Sequence, residues 1–89
     1  MNDEKKKALQ SLKTCKGQIE GIMNMIEDER YCVDISNQII AAQGLLKKAN
    51  MLILKQHMNC CVRTAFVNND KADEKIDEVM SIISKITGK

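Results

Sequence analysis

The 89-residue chain has no proline, no tryptophan and only two aromatic residues, Tyr31 and Phe66. Without proline, nothing in the sequence forces a break in a long helix. Without more aromatic side chains, a hydrophobic core has to be built from Leu, Ile, Met, Val and Ala, and this composition favours helices. A chain of this length suits one domain, so we expect a single domain over residues 1–89.

The sequence also lacks a long apolar run. No stretch approaches the roughly 18 residues of a membrane span, and the first twenty residues are charged rather than apolar as in a signal peptide. We therefore expect a cytoplasmic protein with no membrane partner. Thiols stay reduced in the cytoplasm, so the four cysteines are better explained as ligands or redox sensors than as disulfides. The formal net charge of +2 is too small to indicate a partner.

Three segments show helical periodicity. The first is predicted to start at Asn2, a candidate N-cap, and to end near Glu29. The second, from about Cys32 to Val67, is apolar around most of its circumference and is predicted to be buried on more than one side. A short third helix follows, with Asp70 as its candidate N-cap. Its apolar positions are Ile76, Val79, Met80, Ile83 and Ile86. The predicted fold class is all-α.

The chain's only histidine, His57, lies four residues before Cys61, which places both on one face of a helix. Cys32 opens the same predicted helix, so it lies roughly 35 to 40 Å from them within one chain at ~1.5 Å per residue. If two copies of this helix pack antiparallel, Cys32 of one copy comes opposite His57 and Cys61 of the other. Two thiolates and one imidazole form a soft set that suits Cu(I) better than hard ions. A redox role for these thiols stays open.

An isolated His-x-x-x-Cys pair has simpler explanations. On an amphipathic helix it is usually a half-exposed histidine near a small buried thiol. A cysteine and a histidine also form catalytic pairs, but this segment has no third group to orient them, and a helical chain of this size offers little cleft. We therefore expect neither an enzyme nor a small organic substrate.

Three segments lie at a fixed distance from one another: "GQIEGIMNMIEDERYCVDISNQI", "HMNCCVRTAF" and "DEKIDEVMSII". Over nearly the whole chain they resemble the copper-sensitive operon repressor (CsoR) family. Its motif is a cysteine, a histidine 25 residues later and a cysteine four beyond that, here Cys32, His57 and Cys61. The resemblance implies a three-helix protomer, an antiparallel four-helix-bundle dimer and a homotetramer built as a dimer of dimers. It also implies a repressor of copper-resistance genes that Cu(I) releases from operator DNA, with Tyr31 and Asp77 as outer partners of the ligands.

Branches of this family differ in their ligands. A persulfide-sensing branch keeps two cysteines without the histidine, so the presence of His57 favours copper. A redox- or persulfide-sensing repressor that uses Cys32 and Cys61 is the alternative within the same fold. The chain has two further thiols. Cys15 is expected to pack in the core, and Cys60 is either a surface thiol or an accessory ligand.

DNA binding is predicted from charge alone, because no helix-turn-helix or zinc-finger pattern is present. The residues predicted to contact DNA are Lys13, Lys16, Lys47 and Lys48. The resembled family commonly has arginine where this chain has Ser11, Thr14 and Gln43, and arginine is the better reader of phosphates and bases. This departure leaves a second alternative, a copper-storage or copper-trafficking helical bundle with no DNA role.

Overall fold

The computed structural model describes residues 2–67 and 72–88, and these residues form helices joined by short turns, without a strand. The helical elements are α1 (Asp3–Glu27), α2 (Cys32–His57), a π-helical turn (Met58–Val62), α3 (Arg63–Val67) and α4 (Ala72–Thr87). The predicted second helix is thus realised as α2, the π turn and α3 in succession. The predicted all-α class, with two long helical segments and a shorter C-terminal helix, is confirmed.

The chain divides into two compact units, Met1–Leu52 and Ile53–Lys89. The first contains α1 and most of α2. The second contains the last turns of α2, the π turn, α3 and α4. A single functional domain over residues 1–89 stays a prediction.

Helix α1 begins at the predicted N-cap. The side-chain oxygen of Asn2 accepts a hydrogen bond from the backbone N–H of Lys5 at 2.8 Å, which satisfies one of the free donors of the first turn. Asp3 and Glu4 place negative charge at the positive end of the helix dipole. The start of α1 is therefore specified by its local sequence.

Helix α1 ends at Glu27, close to the predicted end near Glu29. Glu29 has a φ of 55°, in the left-handed region that favours glycine. The N–H of Arg30 then donates to the carbonyl of Met25 at 2.9 Å, the bond that closes many helix C-termini. The turn before α2 is therefore hydrogen-bonded but mildly strained.

The core of the first unit lies between α1 and α2. Cys15 and Ile22 of α1 are buried with Ala42 of α2, and Ile35 and Leu45 pack against them. Cys15 is only 2% exposed, and its thiol donates to the carbonyl of Ala42 at 3.6 Å. The prediction that Cys15 packs in the core is confirmed.

The core of the second unit joins the end of α2 to α4. Leu54 and Val79 are buried, and the partly buried residues around them are Ile76, Ile83 and Ile86. Met80 was predicted for the same stripe but is 58% exposed, because it lies about 100° around α4 from Val79. The candidate N-cap Asp70 lies outside the described residues.

Apolar side chains remain exposed on both helices of the first unit. On α1 they are Leu9, Leu12, Ile19, Met23 and Ile26, and on α2 they include Val33, Ile39, Ile40, Leu46 and Met51. Within one chain, apolar side chains of α2 therefore stay exposed, and burial of this helix on more than one side stays a prediction. Exposed apolar side chains of this kind are typical of helices that pack against a partner. None of the described helices has the length and apolarity needed to cross a membrane.

Candidate metal centre

Cys32 is the first residue of α2, and its thiol is exposed and free. Tyr31 precedes the helix, and its carbonyl accepts the N–H of Ile35 at 3.1 Å, which ties the start of α2 to this residue. The tyrosine side chain is 69% exposed. The structure thus presents Cys32 at an open helix end, accessible to a metal ion or to a second protein.

His57 is the last residue of α2 and belongs to the second unit. Its side chain is 28% exposed, and its Nε2 atom lies 3.8 Å from Oε2 of Glu78 on α4. This separation exceeds a hydrogen-bond length, so the attraction is electrostatic. A carboxylate on this side of the ring can act as an outer partner that helps to orient a metal-binding histidine.

The carboxylate beside His57 is Glu78, whereas the resemblance indicated Asp77. Both carboxylates are exposed, and both line a shallow groove on α4 with Glu74 and Ser81, but the described contact with His57 is made by Glu78. Asp77 and Glu78 lie about 100° apart around the helix, on opposite sides of the buried stripe. The periodicity of α4 does not tell which side faces His57, so Glu78 was missed. A role for Asp77 stays a prediction.

The winding of the backbone changes directly after His57. The N–H of Arg63 donates to the carbonyls of Met58 and Cys60, which are five and three residues back. The expectation of one regular helix through this region is therefore wrong, and no glycine or proline in the segment signals the change. Cys60 is exposed and free. Cys61 belongs to the same turn, but its side chain lies outside the described part of the structure.

The three predicted ligands are not assembled into a described cluster. Cys32 and His57 are the first and last residues of α2. Among the described residues there is no group of three or more His, Cys, Asp or Glu side chains placed to hold a metal ion. The donors themselves suit Cu(I), because an accessible thiol and an imidazole are soft or borderline ligands. Cys32, His57 and Cys61 as a ligand set stay a prediction.

The lysines predicted to contact DNA all lie on regular helices of the first unit. Lys13 and Lys16 on α1 and Lys47 and Lys48 on α2 are exposed. Of the positions where the resembled family has arginine, Ser11 is only 6% exposed and faces the core. Thr14 donates its hydroxyl to the carbonyl of Gln10 at 3.1 Å, and Gln43 is exposed. Position 11 therefore offers no surface for DNA in this chain.

Comparison with known proteins covers nearly the whole chain. The copper-sensing transcriptional repressor CsoR of Bacillus subtilis (strain 168) is 38% identical over 84 residues, which are 94% of this chain and 82% of that protein. CsoR of Mycobacterium ulcerans (strain Agy99) is 35% identical over 83 residues, 93% of this chain and 70% of that protein.

A solved structure is also similar over nearly the whole chain. The crystal structure of the copper-sensing repressor CsoR with Cu(I) from Geobacillus thermodenitrificans NG80-2 has a TM-score of 0.84 and 33% identity. The match covers 98% of this chain and 90% of that one. A model of the family described as "Metal-sensitive transcriptional repressor" matches residues 4–85. From helix α1 to the end of α4, this chain belongs to the metal-sensitive transcriptional repressor family.

Proposed function

We propose that this protein is a Cu(I)-responsive transcriptional repressor, which binds operator DNA in its metal-free form and is released when copper binds. The observation that carries the proposal is the similarity to a Cu(I)-bound copper-sensing repressor over 98% of the chain. The protein acts in the cytoplasm as a regulator of copper-resistance genes and not as an enzyme, and it uses no small organic substrate.

The ligands are Cys32 of one copy with His57 and Cys61 of a second copy. Cys32 and His57 stand at the two ends of α2, so antiparallel packing of two α2 helices brings opposite ends together twice by symmetry. The exposed apolar side chains of α1 and α2 supply the surface that the second copy covers. Two such dimers form the homotetramer.

Within this site each residue of the chain has a separate task. Cu(I), when bound, supplies a soft cation that suits two thiolates and one imidazole. Glu78 lies 3.8 Å from Nε2 of His57 and helps to orient the imidazole ring. Because α4 also packs on α2 through Val79 and Leu54, the orientation of the imidazole and the position of α4 are linked. Tyr31, next to Cys32, is the outer partner on the thiolate side.

DNA is held by the exposed lysines of the first unit, Lys13, Lys16, Lys47 and Lys48. Present in four copies, they contact phosphates, and the affinity for DNA falls steeply as salt rises. Copper changes the arrangement of protomers so that these lysines no longer match the duplex. A coupling free energy of about 1 to 3 kcal/mol is typical for such an effect.

An anaerobic Cu(I) titration against a competing chelator tests this function, with the fluorescence anisotropy of labelled promoter DNA followed in the same cuvette. We expect one tightly bound ion per protomer and stoichiometric loss of DNA. Tight copper binding without a DNA signal would contradict the repressor and indicate copper storage or trafficking. DNA binding that ignores copper, but is lost on adding polysulfide with a chelator present, would identify a persulfide sensor.

A further inference from the structure

The π turn Met58–Val62 carries two adjacent thiols, at Cys60 and Cys61, directly after the candidate ligand His57. In a regular α-helix, the N–H of Arg63 would donate to the carbonyl of Asn59, four residues back. Here it donates to Met58, five residues back, and also to Cys60. This turn therefore contains one residue more than a turn of α-helix.

The sequence does not impose this winding. Kinks and irregular turns usually follow proline or glycine, but the chain has no proline, and its glycines are at 17, 21, 44 and 88. Contacts within the second unit hold the turn from both sides instead. Before the turn, Leu54 packs on Val79 and His57 faces Glu78; after it, α4 contacts both the π turn and α3. Isolated π turns inside helices occur frequently at functional sites.

The winding determines where Cys60 lies relative to His57. In an α-helix, a residue three positions on falls roughly a sixth of a turn short of the starting residue. In the wider π turn, it falls roughly a third of a turn short. The backbone of Cys61, four positions on, stays within roughly a tenth of a turn of His57 in either winding. The π turn thus moves Cys60, and not Cys61, off the face of the helix that carries His57.

We propose that the π turn selects between the two adjacent thiols: its wide winding keeps Cys60 away from His57, so that Cys61 alone supplies the second thiolate. The selection deepens the proposed copper site and rests on that function for its consequence.

Deleting Val62 is the matched test, because it removes one residue from the turn and leaves the spacing from His57 to Cys61 unchanged. The bond from Arg63 to Met58 then spans four residues instead of five, so it becomes an ordinary α-helical bond. The contacts of α4 on both sides of the turn should be retained, because the deletion removes none of Leu54, His57, Val79 and Glu78. The deletion therefore restores α winding while the ends of the segment stay in place.

The deletion is tested in a chain that also carries Cys61→Ala, and the Cu(I) affinity is measured by chelator competition. With the π turn intact, Cys61→Ala should lose about 100-fold or more, above the range found for outer partners of ligands. Adding the Val62 deletion should recover about tenfold or more, because Cys60 then replaces the missing thiolate. Adding Cys60→Ala should abolish the recovery. If Cys61→Ala alone kept the full Cu(I) affinity and the double variant Cys61→Ala, Cys60→Ala lost it, the proposed selection would be overturned.

A measurement on the metal-free protein tests the winding of the π turn independently of copper binding. Through-hydrogen-bond NMR couplings report which carbonyl pairs with the Arg63 amide nitrogen in the wild-type chain. Coupling to Met58 is expected, and coupling to Asn59 would overturn the proposal even if the Val62 deletion fails to fold. If the wild-type protein binds no copper tightly, the proposed function fails. The NMR coupling of the Arg63 amide still shows whether the segment has π or α winding, on which the selection depends.

Discussion

The two compact units of this protein differ in the regularity of their helices. In Met1–Leu52, both helices keep ordinary α winding, and the lysines proposed to contact DNA lie on them. In Ile53–Lys89, α winding gives way to the π turn directly after His57, and a carboxylate from α4 faces the imidazole. The irregular backbone thus coincides with two of the three candidate ligands, His57 and Cys61.

This difference indicates what each unit lacks. The first unit leaves apolar and basic side chains exposed, and in our proposal a second copy and DNA cover them. The second unit already contains an orienting partner for its histidine. Substitutions in the second unit should therefore change metal binding within the chain, whereas most changes in the first should affect assembly or DNA binding. Four variants test these assignments and the packing of the two units.

The largest effect is expected from Leu54→Ala, which removes a buried side chain from the contact with Val79. Truncation of a buried leucine leaves a cavity and typically costs about 2 to 5 kcal/mol in the free energy of unfolding. Urea denaturation at a fixed protein concentration measures the loss. The matched control is Lys55→Ala at the neighbouring exposed position, which should change stability by about 0.5 kcal/mol or less. Equal losses would contradict the placement of Leu54 in the core.

Cys32→Ala should have the next largest effect, and it is the exception to the separation between units. The residue lies in the first unit but is a proposed ligand, so its loss should lower the Cu(I) affinity by about 100-fold or more. DNA binding by the metal-free protein should not change. Cys60→Ala removes another exposed thiol and should retain wild-type copper affinity. If Cys32→Ala lost DNA binding as well, the cysteine would be structural.

Glu78→Gln tests the orienting partner of His57. The substitution keeps the shape of the side chain and removes the charge that lies 3.8 Å from the imidazole. Loss of such a partner typically costs about 10- to 100-fold in metal affinity or in coupled activity, here the release of DNA by copper. Asp77→Asn is the matched control at the neighbouring exposed position of α4 and should have little effect. A larger effect of Asp77→Asn would assign the role to the residue that the resemblance indicated.

The sequence predicts the features that follow from periodicity and capping. The Asn2 cap, the buried position of Cys15 and the stripe from Ile76 to Ile86 depend on local spacing, which is visible in one chain. Choosing Glu78 over Asp77 requires knowing which side of α4 faces α2, and that is a property of the packed unit. The π turn leaves no signal either, because residues without a special backbone preference occupy it and distant contacts hold its ends.

Glu29→Gly is expected to have the smallest effect. It should raise the free energy of unfolding, whereas Leu54→Ala should lower it. Glu29 lies in the turn after α1 with a φ of 55°, which glycine adopts without steric cost. Relief of this strain, less the added entropy of the unfolded chain, should stabilise the protein by about 0.5 to 1 kcal/mol. In the middle of α1, Glu20→Gly should instead destabilise by about 1 kcal/mol. If the urea midpoints shifted in the same direction for both variants, the turn before Cys32 would be unstrained. The π turn would then be the irregular backbone element beside a candidate ligand.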